Sequence, residues 1–106
     1  MILATFRILF HPAKHSEVAK ILTRIVERTH VELGCISSHL YIDAQDQRGF
    51  VIEEVWMTND DLVRHLRSEE FLDVLLVTEI AVEATEIRFS SIMPVNDMET
   101  IEKVRG

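Results

Sequence analysis

Apolar side chains occupy both parities of residues 2–10, with Ala4, Phe6 and Ile8 on one and Leu3 and Leu9 on the other. A run of this length with no internal breaker reads as a strand buried on both faces. Pro12 closes it. From Ser16, a residue type that caps helices, the period lengthens: Val18, Ile21, Leu22, Ile25 and Val26 share one stripe, and Glu17, Lys20, Arg24, Glu27 and Arg28 lie opposite. The stripe predicts a helix that stops before Gly34, the residue best able to take a left-handed C-terminal conformation.

Beyond Gly34 the pattern shortens to two β-like runs, Cys35 to Asp43 and Phe50 to Met57. The polar stretch Ala44 to Gly49 separates them, which is the mark of a hairpin with a longer loop. Thr58 and Asp61 make a capping-box-like start for a helix carrying Leu62, Val63, His65 and Leu66. Ser68 caps a second helix through Phe71, Leu72, Leu75 and Leu76, so two short helices abut. A last strand fits Glu86 to Met93, and Pro94 ends it. Asn96 and Glu99 then offer a capping box for a tail helix with Met98, Ile101 and Val104 on one side. No internal repeat or low-complexity tract interrupts the chain, which divides into one domain, 1–93, and a tail, 94–106, expected to dock as a short helix.

Strand, helix, strand, strand, helix, strand is the split βαβ order of the α+β ferredoxin-like fold, with helices on one face of a four-stranded antiparallel sheet. The second sheet face is then bare, yet the strands are apolar at both parities, so a second copy is the expected cover. Composition agrees: 106 residues make one domain, and an apolar fraction of 47% leaves greasy surface to spare.

Charge removes several partners. With 18 acidic and 11 basic side chains the net charge is −7, and no Lys/Arg stripe interleaved with aromatics appears, so nucleic acid is not an expected partner. The apolar opening Met1 to Phe6 lacks a basic flank and is cut short by Arg7, so no membrane span or export signal is expected. A single cysteine, Cys35, fits a reducing cytoplasm.

The residues Glu54-Val55-Trp56, followed by Leu62, His65, Leu66, Ser68 and Phe71, resemble the E-x-W and L-x-x-H-L-x-S-x-x-F signature of the antibiotic biosynthesis monooxygenase domain. Glu32-Leu33-Gly34-Cys35 resembles its E-x-G-C turn. The resemblance covers roughly residues 2–93. It implies a dimeric α/β barrel in which two sheets pack face to face, with a pocket between sheet and helices in each subunit. The activity it implies is oxygenation of a phenol or quinol without flavin or metal. Where haem-degrading relatives carry their working residues this chain has Phe6, His65 and Leu75, and Leu75 cannot ligate iron, so no haem is expected. Against the quinol-oxidising branch the matching positions are Trp56, Tyr41, Ile52 and Leu62, of which Trp56 is retained and Tyr41 is a polar substitute.

The expected site follows. Trp56, Phe6 and Phe71 wall an aromatic ring, His65 takes or shares the phenol proton, and Tyr41 or His39 donates to the oxygen. Glu54 shares the parity of Trp56 and sets a carboxylate beside that wall. Each has a plainer use: Trp56 as core, His65 as a helix-flank hydrogen bonder, Glu54 in surface or interface pairing. His39 and Tyr41 share one strand face, which looks either into the pocket or into the dimer interface. His11 and His15 have helical spacing, but Pro12 and the lack of a third ligand point to a solvated loop and no metal. Cys35 packs as a small hydrophobe. The leading expectation is a cofactor-independent monooxygenase acting on a small aromatic hydroquinone or phenol. The alternatives are a non-catalytic dimeric ligand-binding or stress-associated module, and an isomerase of a small carbonyl compound with Glu54 or His65 as base.

Overall fold

The computed structural model describes residues 1–93 and 98–106. Strand β1 spans Ile2–Leu9, helix α1 His15–His30, β2 Cys35–Ile42, β3 Gly49–Trp56, α2 Asn59–Leu66, α3 Glu69–Thr78, β4 Glu86–Ser91 and α4 Met98–Arg105. The sheet order is β2-β3-β1-β4, antiparallel throughout, which is the expected α+β ferredoxin-like arrangement.

Register decides what each face carries, because residues directly opposite on paired strands point the same way. Phe6 faces Ile52, Ala4 faces Glu54 and Ile2 faces Trp56. Ala4, Phe6, Ile8, Phe50, Ile52 and Trp56 are buried against Val18, Leu22, Ile25 and Val26 of α1, Leu62 of α2, and Phe71, Val74 and Val77 of α3. The other face presents Leu3, Thr5 and Arg7 from β1, Val51, Glu53 and Val55 from β3, Ser37, His39 and Tyr41 from β2, and Glu86, Arg88 and Ser90 from β4. It is therefore a mixed surface rather than the apolar one expected from strands apolar at both parities. Apolar parity in β1 extends to both faces, but its neighbours place charges on the outer one.

Several local expectations shift by a residue or two. Ser16 is not a cap: α1 starts at His15, and a 3₁₀ turn at Pro12–Lys14 precedes it. His11 caps that turn through Nδ1, which accepts the Ala13 N–H at 3.0 Å. Helix α1 ends at His30, and Gly34 does adopt a left-handed φ of +82°, but in the turn into β2 rather than as the helix terminus. There its carbonyl accepts the Met57 N–H at 2.8 Å, tying the start of β2 to the end of β3. Thr58 and Ser68 cap α2 and α3 as expected, accepting from the Asp61 and Phe71 N–H groups, both at 3.2 Å. Strand β4 ends at Ser91 rather than Met93. Pro94 and Asn96, expected to break and cap the chain, lie outside the described residues. Helix α4 forms, and its Met98, Ile101 and Val104 are 65%, 50% and 83% exposed, so within one subunit the stripe is uncovered.

A Cβ at Gly34 would lie 2.2 Å from Asp61 Cγ, whose carboxylate holds Thr58 Oγ1 and Arg64. Gly34→Ala therefore combines left-handed strain with loss of the α2 cap. We expect it to destabilise the protein by about 2 kcal/mol in denaturant unfolding, and a loss under about 0.5 kcal/mol would contradict this account.

Candidate functional site

Strand parity and two helix caps bring Glu54, Trp56, Leu62, His65 and Phe71 together under α2. Glu54 and Trp56 are two apart on β3 and so both point at the helices. Leu62 and His65 are three apart on α2 and so both point at the sheet. Ser68 locks the helix junction, donating its hydroxyl to the His65 carbonyl at 2.6 Å while accepting from Phe71, which fixes Phe71 relative to His65. Trp56, Glu54 and His65 are almost completely buried, at 0%, 1% and 2% exposure.

The polar atoms of this cluster form one connected line. The Trp56 indole Nε1–H donates to Glu54 Oε1 at 3.1 Å. Glu54 Oε2 lies 3.4 Å from His65 Nε2, close enough for charge attraction but leaving Nε2 without a hydrogen bond. On its other side the imidazole Nδ1 sits 2.9 Å from both oxygens of Glu32, in the turn after α1. A carboxylate accepting at Nδ1 places the neutral ring's proton there, so the Nε2 lone pair faces Glu54.

Rings enclose that line. Trp56 stacks on His65 with centroids 4.6 Å apart, and Phe71 meets His65 edge-on at 5.4 Å. Phe71 leans on Phe6 at 5.7 Å, and Phe6 meets Phe89 of β4 at 6.1 Å. Phe89 and Ile87 are each 50% exposed, so the file of rings runs from the core to an uncovered apolar edge.

Burial alone would lower the proton affinity of His65. The neighbouring carboxylate of Glu54 and the hydrogen-bonded carboxylate of Glu32 outweigh it and raise the pKa above its usual value. The Cys35 thiol is pushed up to about 11, first by burial and then by the Glu54 and Glu32 charges, so it stays protonated and unreactive.

Trp56, Glu54, Phe6, Phe71 and His65 therefore meet in one cluster. His39 and Tyr41 do not join it: they share the open sheet face, rings 6.1 Å apart, with the sheet between them and Trp56. Their parity is opposite to that of Leu40, which pairs with Ile52. Within one subunit neither can donate to a molecule beside Trp56. Glu32 entered the sequence reading only as part of a turn motif. It lies 33 residues from His65 and has no periodic signal, so only tertiary structure gives it a role. His11 is engaged as a cap and the His15 ring packs 4.9 Å from Phe50. Surface grooves open elsewhere. One of about 390 Å³ lies between α1 and α3, at Ile21, Arg24, Arg28, Asp73 and Leu76.

Because the folded protein binds the His65 proton more tightly than the unfolded chain, this site stabilises the fold fully below about pH 6.5. The contribution fades as pH rises through the raised value. Thermal stability is expected to fall across that interval, and His65→Gln should flatten the profile. An unchanged slope in the variant would assign the pH dependence to other groups.

No functionally curated protein matches the chain. Solved structures do. A crystal structure of an antibiotic biosynthesis monooxygenase superposes with a TM-score of 0.80 at 23% identity, covering 89% of this chain and all of that one. A conserved protein from Methanosarcina mazei Go1 matches with a TM-score of 0.77 at 24% identity, over 84% of this chain and 89% of that one. Rv0793 from Mycobacterium tuberculosis matches with a TM-score of 0.80 at 21% identity, over 91% and 98%. At these identities they establish the fold. The family model for antibiotic biosynthesis monooxygenase matches residues 1–75, from β1 into α3, and so includes Glu32, Glu54, Trp56, His65 and Phe71. This chain belongs to the antibiotic biosynthesis monooxygenase family.

Proposed function

We propose that the protein is a cofactor-independent monooxygenase acting on a small aromatic hydroquinone or phenol. The observation that carries the reading is the buried His65 imidazole. Glu32 holds it at Nδ1, its Nε2 has no hydrogen bond, and aromatic rings surround it. Family membership supports the same reaction class.

An electron-rich phenolate passes one electron to O₂ unaided, so the protein's share is to bind the ring, remove the proton and keep the anion dry. His65 accepts the hydroxyl proton at Nε2, and Glu32 and Glu54 stabilise the imidazolium. Recombination of superoxide with the ring radical forms a carbon–oxygen bond, and O–O cleavage leaves one oxygen on the ring as a carbonyl. The other departs as water, carrying the hydroxyl proton and the displaced ring hydrogen. Phe6, Phe71 and Trp56 supply the wall. The uncovered Ile87 and Phe89 edge gives a planar molecule its approach, with Phe71 as the ring that must move aside.

The working unit in this reading is a homodimer, joined through the open sheet face. Leu3, Val51, Val55 and Tyr41 supply its apolar area, and Arg7, Glu53, Glu86 and Arg88 supply charges of both signs that a two-fold axis can pair. His39 and Tyr41 then belong to the subunit seam rather than to the substrate. The α4 stripe docks across the same seam.

Two measurements test this. Purified protein without added flavin or metal is expected to consume O₂ with at least one member of a hydroquinone and phenol panel, and to lose at least tenfold, about 1.4 kcal/mol of barrier, on His65→Ala. Undiminished turnover in that variant removes His65 from the mechanism, and no turnover with any member favours a non-catalytic ligand-binding module. In sedimentation equilibrium the full chain is expected to be a dimer, and truncation after Met93 to weaken it. A concentration-independent monomer would overturn the assembly.

A further inference from the structure

The line of polar atoms through the cluster differs sharply between its ends. The Glu54 and His65 side chains are each 1% exposed, whereas the Glu32 side chain is 21% exposed and reaches water. The rings of Trp56 and Phe71 cover the imidazole on two sides. Glu32 is therefore the carboxylate that joins the imidazole to water.

We propose that Glu32 is the proton port of the buried site, passing protons between water and the His65–Glu54 pair through the imidazole. The step balances without any other reactant. An imidazolium at His65 gives its Nδ1 proton to a Glu32 oxygen 2.9 Å away. This leaves the ring transiently as its minor Nε2–H tautomer, and the protonated Glu32 carboxyl releases its proton to water. The reverse sequence recharges the ring. As a step in turnover this rests on the reading above, in which His65 gains a proton and gives it up within each cycle. The geometry itself involves no substrate.

The other ionisable groups packed around the imidazole do not offer a second route. From β3 there is Glu54, sealed in the core. From the start of β2 there is Cys35, a thiol that stays protonated and donates to the Ser37 carbonyl at 3.4 Å. On α2 itself Asp61 and Arg64 pair with each other at 2.9 Å on the exposed side, and α3 contributes only the Phe71 ring at this point. Glu32 is the carboxylate that touches both the imidazole and solvent.

Glu32 is thus a positioning and proton-passing residue, and the two roles separate experimentally. Glutamine at position 32 still offers a carbonyl oxygen to the Nδ1–H and so still orients the ring, but it cannot take the proton. The test uses the ¹⁵N-labelled full chain without substrate, so a protein inactive toward phenols answers it equally well. Long-range ¹H–¹⁵N spectra identify the His65 tautomer, and solvent-exchange measurements on the protonated ring give the rate at which its Nδ1–H exchanges with water. Glu32→Gln is expected to keep the Nδ1–H tautomer in the neutral ring while slowing that exchange at least tenfold. Glu32→Asp, which retains the carboxylate, should recover part of the rate. An exchange rate in Glu32→Gln within twofold of the parent overturns the proposal. If Glu32→Gln fails to fold, the parent alone decides: exchange of the His65 ring N–H with water far faster than global unfolding supports the port, and exchange only at the unfolding rate sinks it.

Discussion

A carboxylate stands in the middle of the apolar layer. Leaving Glu54 ionised and unpaired there would cost several kcal/mol, comparable to the whole stability of a domain this size. Much of the surrounding geometry is compatible with avoiding that outcome. The Trp56 indole N–H is turned back along its own strand to meet one oxygen, and the His65 imidazole is brought down from α2 to face the other. The imidazole in turn needs a partner for Nδ1, which Glu32 supplies from the turn after α1. One buried charge thus links β3, α2 and the α1–β2 turn. The Gly34 turn and the Thr58 and Ser68 caps hold those three segments in register.

The helix layer is tight over one part of the sheet and absent over another. Helices α1 and α3 pack together, and the cluster beneath α2 is sealed by Trp56 and Phe71. Strand β4 lies at the sheet edge with all six residues exposed, including Ile87 and Phe89 on the helix side. With α4 also exposed, apolar side chains lie open at the β4 edge, on the tail, on parts of the open sheet face, and at Leu72, Leu75 and Leu76 of α3. A fold of this class leaves such surface for a second copy, a ligand or both.

How much was legible in the sequence follows from what each signal depends on. Element order, the two abutting helices and their caps were readable because periodicity and capping are local. The parity of Glu54 and Trp56 was readable for the same reason. Which face of β2 points at the helices was not, since Leu40 and Ile42 compete with Tyr41 for the core and only pairing with Ile52 and Phe50 settles it in favour of the former. His39 and Tyr41, expected beside Trp56, therefore stand behind the sheet from it. Ser16 looked like a cap because a 3₁₀ turn started by Pro12 is not distinguishable from a loop by residue type alone. Glu32 was invisible as a site residue because its partner lies in another element, and motif spacing carries no distance.

The stacking of Trp56 on His65 has an optical side. The chain contains one tryptophan, and its indole lies face to face with the imidazole, 4.6 Å away and inclined by 29°. A charged imidazolium accepts an electron from an excited indole far more readily than a neutral ring does. Excited at wavelengths that Tyr41 does not absorb, the protein has a single emitter whose brightness depends on whether one buried proton is present, so the fold carries its own indicator dye.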